Sequence, residues 1–174
     1  MNIFFVSLGC DKNLVDTEKM LGILADEGCT FTDDEAQAQV IIVNTCCFIG
    51  DAKEESIQNI LDLARFKTEG KLEALIATGC RSLRYQDEML ELDGILGISA
   101  WHTIADVVRD ALEGKRPRNL MSTGVLNSHT TKRLLTTGGY YAYLKIAEGC
   151  NKRCTYCVIP SVRGAYVSVP MEEL

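Results

Sequence analysis

Apolar residues fall along the first 114 positions in two alternating patterns. Residues 3–8, 40–44, 74–78 and 94–98 are short apolar runs with the length and β-branched character of buried strands. Between them, apolar residues recur at helical spacing. Residues 15–26 put Val15, Met20, Leu21, Ile23 and Leu24 mainly on one side, with Gly28 as a stop. Residues 52–66 put Ile57, Ile60, Leu61 and Ala64 on one face, and 83–92 and 103–112 read as two more helices. A weak strand at 29–32 fills the remaining gap. Alternation of this kind predicts an α/β domain over residues 1–114, a flavodoxin-like parallel sheet with helices on both faces.

The pattern breaks after Gly114. Residues 115–139 open on Lys-Arg-Pro-Arg-Asn, continue rich in Ser, Thr and Asn, and reach Gly138-Gly139, which reads as a basic linker. Residues 140–147 (YYAYLKIA) read as a new strand, and 148–163 as a cysteine-bearing loop. Residues 140–174 therefore begin a second unit and leave it incomplete. At 174 residues the chain cannot hold the α/β domain and also a complete TIM-type barrel, which alone needs about 250.

Composition refines this picture in three ways. With 47% apolar and 24% charged residues the chain is of ordinary globular type, and no apolar run approaches the ~18 residues of a membrane span. The apolar start at residues 2–10 has no basic leader, and Asp11, Lys12 and Asn13 follow at once. It reads as the first strand and not as a secretion signal, which predicts a cytoplasmic protein with reduced thiols. Charge is split: residues 1–114 hold 21 acids against 9 bases, and residues 115–174 hold 3 acids against 9 bases. A solvated basic linker is one reading, and a face for a polyanion such as RNA or a ribosome is the other.

Eight cysteines in a reducing compartment point to metal or redox chemistry. Cys10, Cys46 and Cys80 each follow one of three strands. In the strand order 2-1-3-4-5, strands 1, 3 and 4 are neighbours, so the three thiols converge where open α/β sheets place ligands. Gly9 and Gly79 precede two of them and allow close backbone approach to a bulky inorganic group. Three sequence-distant cysteines there make a soft-metal site more plausible than three buried structural thiols. Cys29 reads as core, and Cys47, adjacent to Cys46, points elsewhere. The second set, Cys150, Cys154 and Cys157, is a CxxxCxxC run in one loop, whose three thiolates reach one cluster and leave a fourth iron open. His102 and His129 lack ligand-spaced partners, and Trp101 reads as packing.

CxxxCxxC after a strand resembles the cluster loop of radical S-adenosylmethionine enzymes. The surrounding YAYLKIAEGCNKRCTYCVIPSVRG closely resembles the methylthiotransferases, as do SLGCDKNLVDTE (7–18), NTCCFIGDAKEESI (44–57) and GCRSLRY (79–85). KNLVD and AKEESI resemble the branch acting on a ribosomal protein, the RimO type; the tRNA-modifying branch typically has QMN at the first motif. Two departures stand out. The family motif runs on after Arg163 and Gly164 towards Ser-Arg-Pro, where this chain has Ser168, Val169 and Pro170. Arg81 also stands where the family usually has an apolar residue.

That resemblance implies a two-cluster mechanism. Cys150, Cys154 and Cys157 would hold a four-iron, four-sulfur cluster that binds S-adenosyl-L-methionine, with Tyr156 beside the adenine. Reductive cleavage there would give a radical that takes hydrogen from the substrate. Cys10, Cys46 and Cys80 would hold the second four-iron cluster, which carries or donates the sulfur. The target would be the β-carbon of an aspartate in small-subunit ribosomal protein number twelve, with a reductant protein such as flavodoxin or ferredoxin as a further partner. Family members continue through a partial barrel and an RNA-binding-like domain, so this chain alone is expected to be inactive. The alternatives are a tRNA adenosine methylthiotransferase, a non-catalytic cluster-binding module, and a zinc or disulfide-redox protein.

Overall fold

In a computed structural model, residues 1–46, 49–80, 91–120 and 132–174 are described. Six strands form one fully parallel sheet: β1 (Asn2–Ser7), β2 (Thr30–Phe31), β3 (Val40–Thr45), β4 (Ala74–Gly79), β5 (Gly94–Leu96) and β6 (Arg118–Asn119). Their spatial order is β2-β1-β3-β4-β5-β6. The first five stand in the order expected from the alternation. The sixth is a difference: Arg118 and Asn119 pair with Ile95 and Leu96, inside the stretch read as linker. Two polar residues joined to the sheet by backbone hydrogen bonds leave no apolar signature to read.

The apolar runs are continuous because both faces of the sheet are covered. Side chains alternate across the strands, so Val40 and Ile42 of β3 face one side while Ile41 and Val43 face the other. Helix α1 (Asp11–Asp26) packs Met20 and Leu24 onto the first side. The same side receives Ile104, Val107, Val108 and Ala111 of α4 (Ile104–Leu112). Helices α2 (Gly50–Ala64) and α3 (Phe66–Glu69) cover the second side through Ile60, Leu63 and Phe66. Trp101 is buried just before α4, with the Lys19 ammonium 4.7 Å from its ring centroid. The helix read at 83–92 falls, up to residue 90, outside the described residues, as do Cys47, Arg81 and His129; its last two residues, Glu91 and Leu92, are described and are not helical.

The strand expected at 140–147 is corrected. Only Ala147 and Glu148 are extended in a ladder, as β7 (Ala147–Glu148), antiparallel to β8 (Val167–Ser168). Tyr140, Tyr141, Leu144 and Ile146 are exposed. Up to Lys145 this segment is held by helix α1, and only its end meets a strand, where the Ile146 carbonyl accepts from the Val169 amide at 2.8 Å. Lys145 pairs with Asp16 at 2.7 Å, and Arg133 donates from Nε to Glu18 at 2.7 Å while reaching the Tyr143 carbonyl at 2.5 Å. The short helix α5 (Ile159–Arg163) then closes over the end of the sheet.

These contacts also answer the split in charge. Lys115, Lys132, Arg133 and Lys145 face Asp110, Asp26, Glu18 and Asp16 of the acidic part respectively. Four bases of the basic part thus neutralise carboxylates of this same chain.

Candidate functional site

The register of the sheet brings three chain crossings to one edge. Ser7 lies opposite Asn44, Asn44 opposite Thr78, and Thr45 opposite Gly79. Cys10, Cys46 and Cys80 follow these positions by one to three residues. All three line one cavity of about 590 Å3, together with Gly9, Ile49 and Ala52. The opposite wall comes from the second unit: Gly149, Cys150, Val158, Ile159, Val162 and Arg163. A wider hollow of about 710 Å3 at the other edge of the sheet, lined by Asn2, Gln37, Gln39, Lys71 and Glu73, contains no thiol.

The cysteines differ in surroundings. Cys46 and Cys80 are buried, Cys10 is exposed, Cys150 and Cys157 are half-buried, and Cys154 is exposed. The structure brings Cys150 to the first three thiols; Cys154 and Cys157 do not line the cavity. Tyr156, expected beside an adenine, is 91% exposed. Cys29 is half-buried against the apolar cluster on the α1 side, and its burial pushes the thiol pKa up.

Backbone geometry fixes the strand ends. Gly79 has φ +92, and a Cβ there would run into Asn44 Oδ1 and the Thr45 carbonyl. The close approach is therefore to the adjoining strand end, a reason for this glycine that holds whatever the cavity contains. Cys46 is held by Ser56, a fully buried residue of α2. Ser56 Oγ accepts from the Cys46 amide at 3.1 Å and shares its proton between the carbonyls of Cys46 and Ala52, at 2.9 and 2.8 Å. Ser56→Ala leaves that buried amide unpaired, and a loss of about 1–3 kcal/mol in urea denaturation is expected.

A polar network behind the thiols was not legible from the motifs. Asn13 Nδ2 donates to the carbonyls of Leu8 and Thr45, at 3.0 and 3.1 Å, which clamps α1 to two strand ends. Its Oδ1 accepts from Arg163 Nη2 at 2.6 Å. The same Nη2 lies 3.7 Å from Cys80 Sγ. Arg163 Nη1 donates to both carboxylate oxygens of Glu148, at 3.0 and 2.9 Å. Burial alone would push the Glu148 carboxyl up, but the Lys145 ammonium and the Arg163 guanidinium outweigh it and hold the pKa at about 2. Burial would likewise lower Lys145, and Asp16 and Glu148 reverse this and raise it. The available signal was a polar one: Asn13, Asp16, Thr17 and Glu18 are consecutive or near-consecutive polar residues of α1, and all are buried.

The donor set favours a soft and bulky group. Among the described residues, no three His, Cys, Asp or Glu side chains close around a single metal ion. A zinc ion, with Zn–S bonds of about 2.3 Å, would draw its thiolates within about 4 Å of one another. A polynuclear iron–sulfur group holds its cysteines further apart, and three thiols on separate strand ends around an apolar-walled cavity fit such a group.

Fold and cavity together define a flavodoxin-like α/β domain with thiols at the carboxyl edge of its sheet. The model of the uncharacterized protein family UPF0004 matches residues 2–98, and the chain belongs to that family. Over its full length it is similar to proteins named ribosomal protein uS12 methylthiotransferase RimO. It is 53% identical over 178 residues to that of Lachnoclostridium phytofermentans, covering 100% of this chain and 40% of the relative. It is 46% identical over 177 residues to that of a Thermoanaerobacter species, covering 99% and 40%, and 49% identical over 178 residues to that of Desulforamulus reducens, covering 99% and 40%. The chain spans about 40% of the length of the curated relatives it matches. The likeness to RimO-type methylthiotransferases read from the motifs is borne out. Among the described residues no helix is long and apolar enough to cross a membrane.

Proposed function

We propose that this chain forms the sulfur-handling part of a methylthiotransferase that modifies an aspartate β-carbon of ribosomal protein uS12. The observation that carries this reading is the cavity at which Cys10, Cys46 and Cys80 meet Cys150 of the other cysteine set. Cys10, Cys46 and Cys80 would hold one four-iron cluster. Cys150, Cys154 and Cys157 would hold another, to which S-adenosyl-L-methionine binds with Tyr156 at its adenine. When bound, these groups supply the radical and the sulfur that the protein's own side chains cannot.

The chain's residues supply position and environment. Asn13 and Ser56 fix the strand ends that carry the first thiols. Ile49, Ala52, Val158, Ile159 and Val162 give the cavity apolar walls that limit water. The ribosomal substrate, a reductant protein of the flavodoxin or ferredoxin kind, and a cytoplasmic setting belong to the same reading. RNA contact would fall to those bases that α1 does not engage.

The test is iron and acid-labile sulfide per chain after anaerobic reconstitution, with each cysteine triple changed to Ala in turn. About eight irons, falling to about four in either triple variant, is the expected result for two four-iron clusters. Bound zinc without iron would overturn the reading.

A further inference from the structure

One side chain links the first cysteine set to the loop that presents the second. Arg163 lies at the end of α5, is 6% exposed, and lines the cavity wall. On one side its guanidinium grips both oxygens of Glu148, two residues before Cys150. On the other its Nη2 reaches Asn13 Oδ1 at 2.6 Å and Cys80 Sγ at 3.7 Å. Asn13 is itself locked to two strand-end carbonyls, so the guanidinium cannot drift from the sulfur without breaking several hydrogen bonds.

We propose that Arg163 is a positioning residue that holds a fixed positive charge and an N–H donor against the Cys80 sulfur, and so raises the reduction potential of the group carried by Cys10, Cys46 and Cys80. The proposal rests on the reading that those three thiols carry an iron–sulfur cluster. Reduction adds negative charge to such a cluster. A neighbouring cation and an N–H directed at a ligand sulfur stabilise the reduced form more than the oxidised one. Arginine suits this task because its guanidinium stays charged and its planar fork serves Glu148 and the sulfur side together. Lysine at this position would bring the charge but only one end of the bridge. The arrangement also ties the cluster's surroundings to the loop that presents Cys150, since Glu148 and Arg163 bracket that loop.

The test isolates the first cluster by working in a Cys150/Cys154/Cys157→Ala background. Iron is counted first, and the midpoint potential is then measured by spectroelectrochemical titration for Arg163, Arg163→Lys and Arg163→Gln. The expected result is full iron in all three, a lower potential in Arg163→Gln, and a smaller drop in Arg163→Lys, which retains the charge. Iron bound normally with the same potential in Arg163→Gln and Arg163→Lys would overturn this inference and leave the cluster reading standing. Absence of iron dependent on Cys10, Cys46 and Cys80 would overturn the cluster reading, and this inference with it. Should Arg163→Gln fail to fold, an unchanged potential in Arg163→Lys, whose ammonium cannot reproduce the bridge, is by itself sufficient to overturn the inference.

Discussion

Replacing Glu18 by alanine is expected to cost about 3–5 kcal/mol, among the largest single losses this chain can suffer. Glu18 is completely buried, yet it carries a carboxylate. Its Oε1 accepts from the amide and hydroxyl of Thr136, at 2.7 and 2.9 Å, and its Oε2 accepts from Arg133 Nε at 2.7 Å. Alanine would remove the acceptor for all three donors and leave the Arg133 guanidinium, 19% exposed, without its counter-charge. Urea denaturation gives the magnitude. Hydrogen exchange gives the location: residues 132–148 should lose protection while β3 and β4 keep theirs. Glu18→Gln, which keeps shape and one acceptor, should fall between. A loss of under about 1 kcal/mol in Glu18→Ala, the value of an exposed pair, would show that the buried bridge does not hold the segment.

Gly79→Ala should be comparably damaging, at about 2–6 kcal/mol, for an unrelated reason. The residue sits at φ +92, where an L side chain is strained, and its Cβ would meet Asn44 Oδ1 and the backbone of Thr45. Neither neighbour can yield easily. Asn44 Nδ2 is bonded to the Asn13 carbonyl and the Thr17 hydroxyl, both at 2.9 Å, and Thr45 is in the ladder of β3. Relief would come from moving the end of β4, and with it Cys80. Iron retained by the first cysteine triple should therefore fall in Gly79→Ala even under conditions where the sheet remains folded. A variant as stable as the parent with unchanged iron would refute this account.

The strands were legible because both sheet faces are covered, which makes β3 and β4 unbroken apolar runs. The cysteines at their ends were legible for the same reason, since a parallel sheet puts every carboxyl end on one edge. Strand β6 was not, because Arg118 and Asn119 are polar and enter the ladder beside Ile95 and Leu96 without an apolar run. The segment 140–147 looked like a strand from its alternating aromatic and apolar residues, but an extended run needs a partner edge, and Lys145 and Arg133 give it a helix instead. Asp16, Glu18 and Arg163 escaped a reading based on apolar periodicity. A buried charge can be recognised only with its partner: those of Asp16 and Glu18 lie 129 and 115 positions away along the chain, and Arg163 reaches Asn13 across 150 positions besides pairing with Glu148.

Those long separations set an order of assembly during synthesis. The amino-terminal sheet and α1 emerge first, with Asp16 and Glu18 still facing water and unneutralised. Until Arg163 has been made, the cavity lacks the wall formed by Gly149, Cys150, Val158, Ile159, Val162 and Arg163. Through that interval the edge bearing Cys10, Cys46 and Cys80 stays open on the side that is later shut. The pairs that Asp26, Glu18 and Asp16 of α1 make with Lys132, Arg133 and Lys145 then draw the second wall into place.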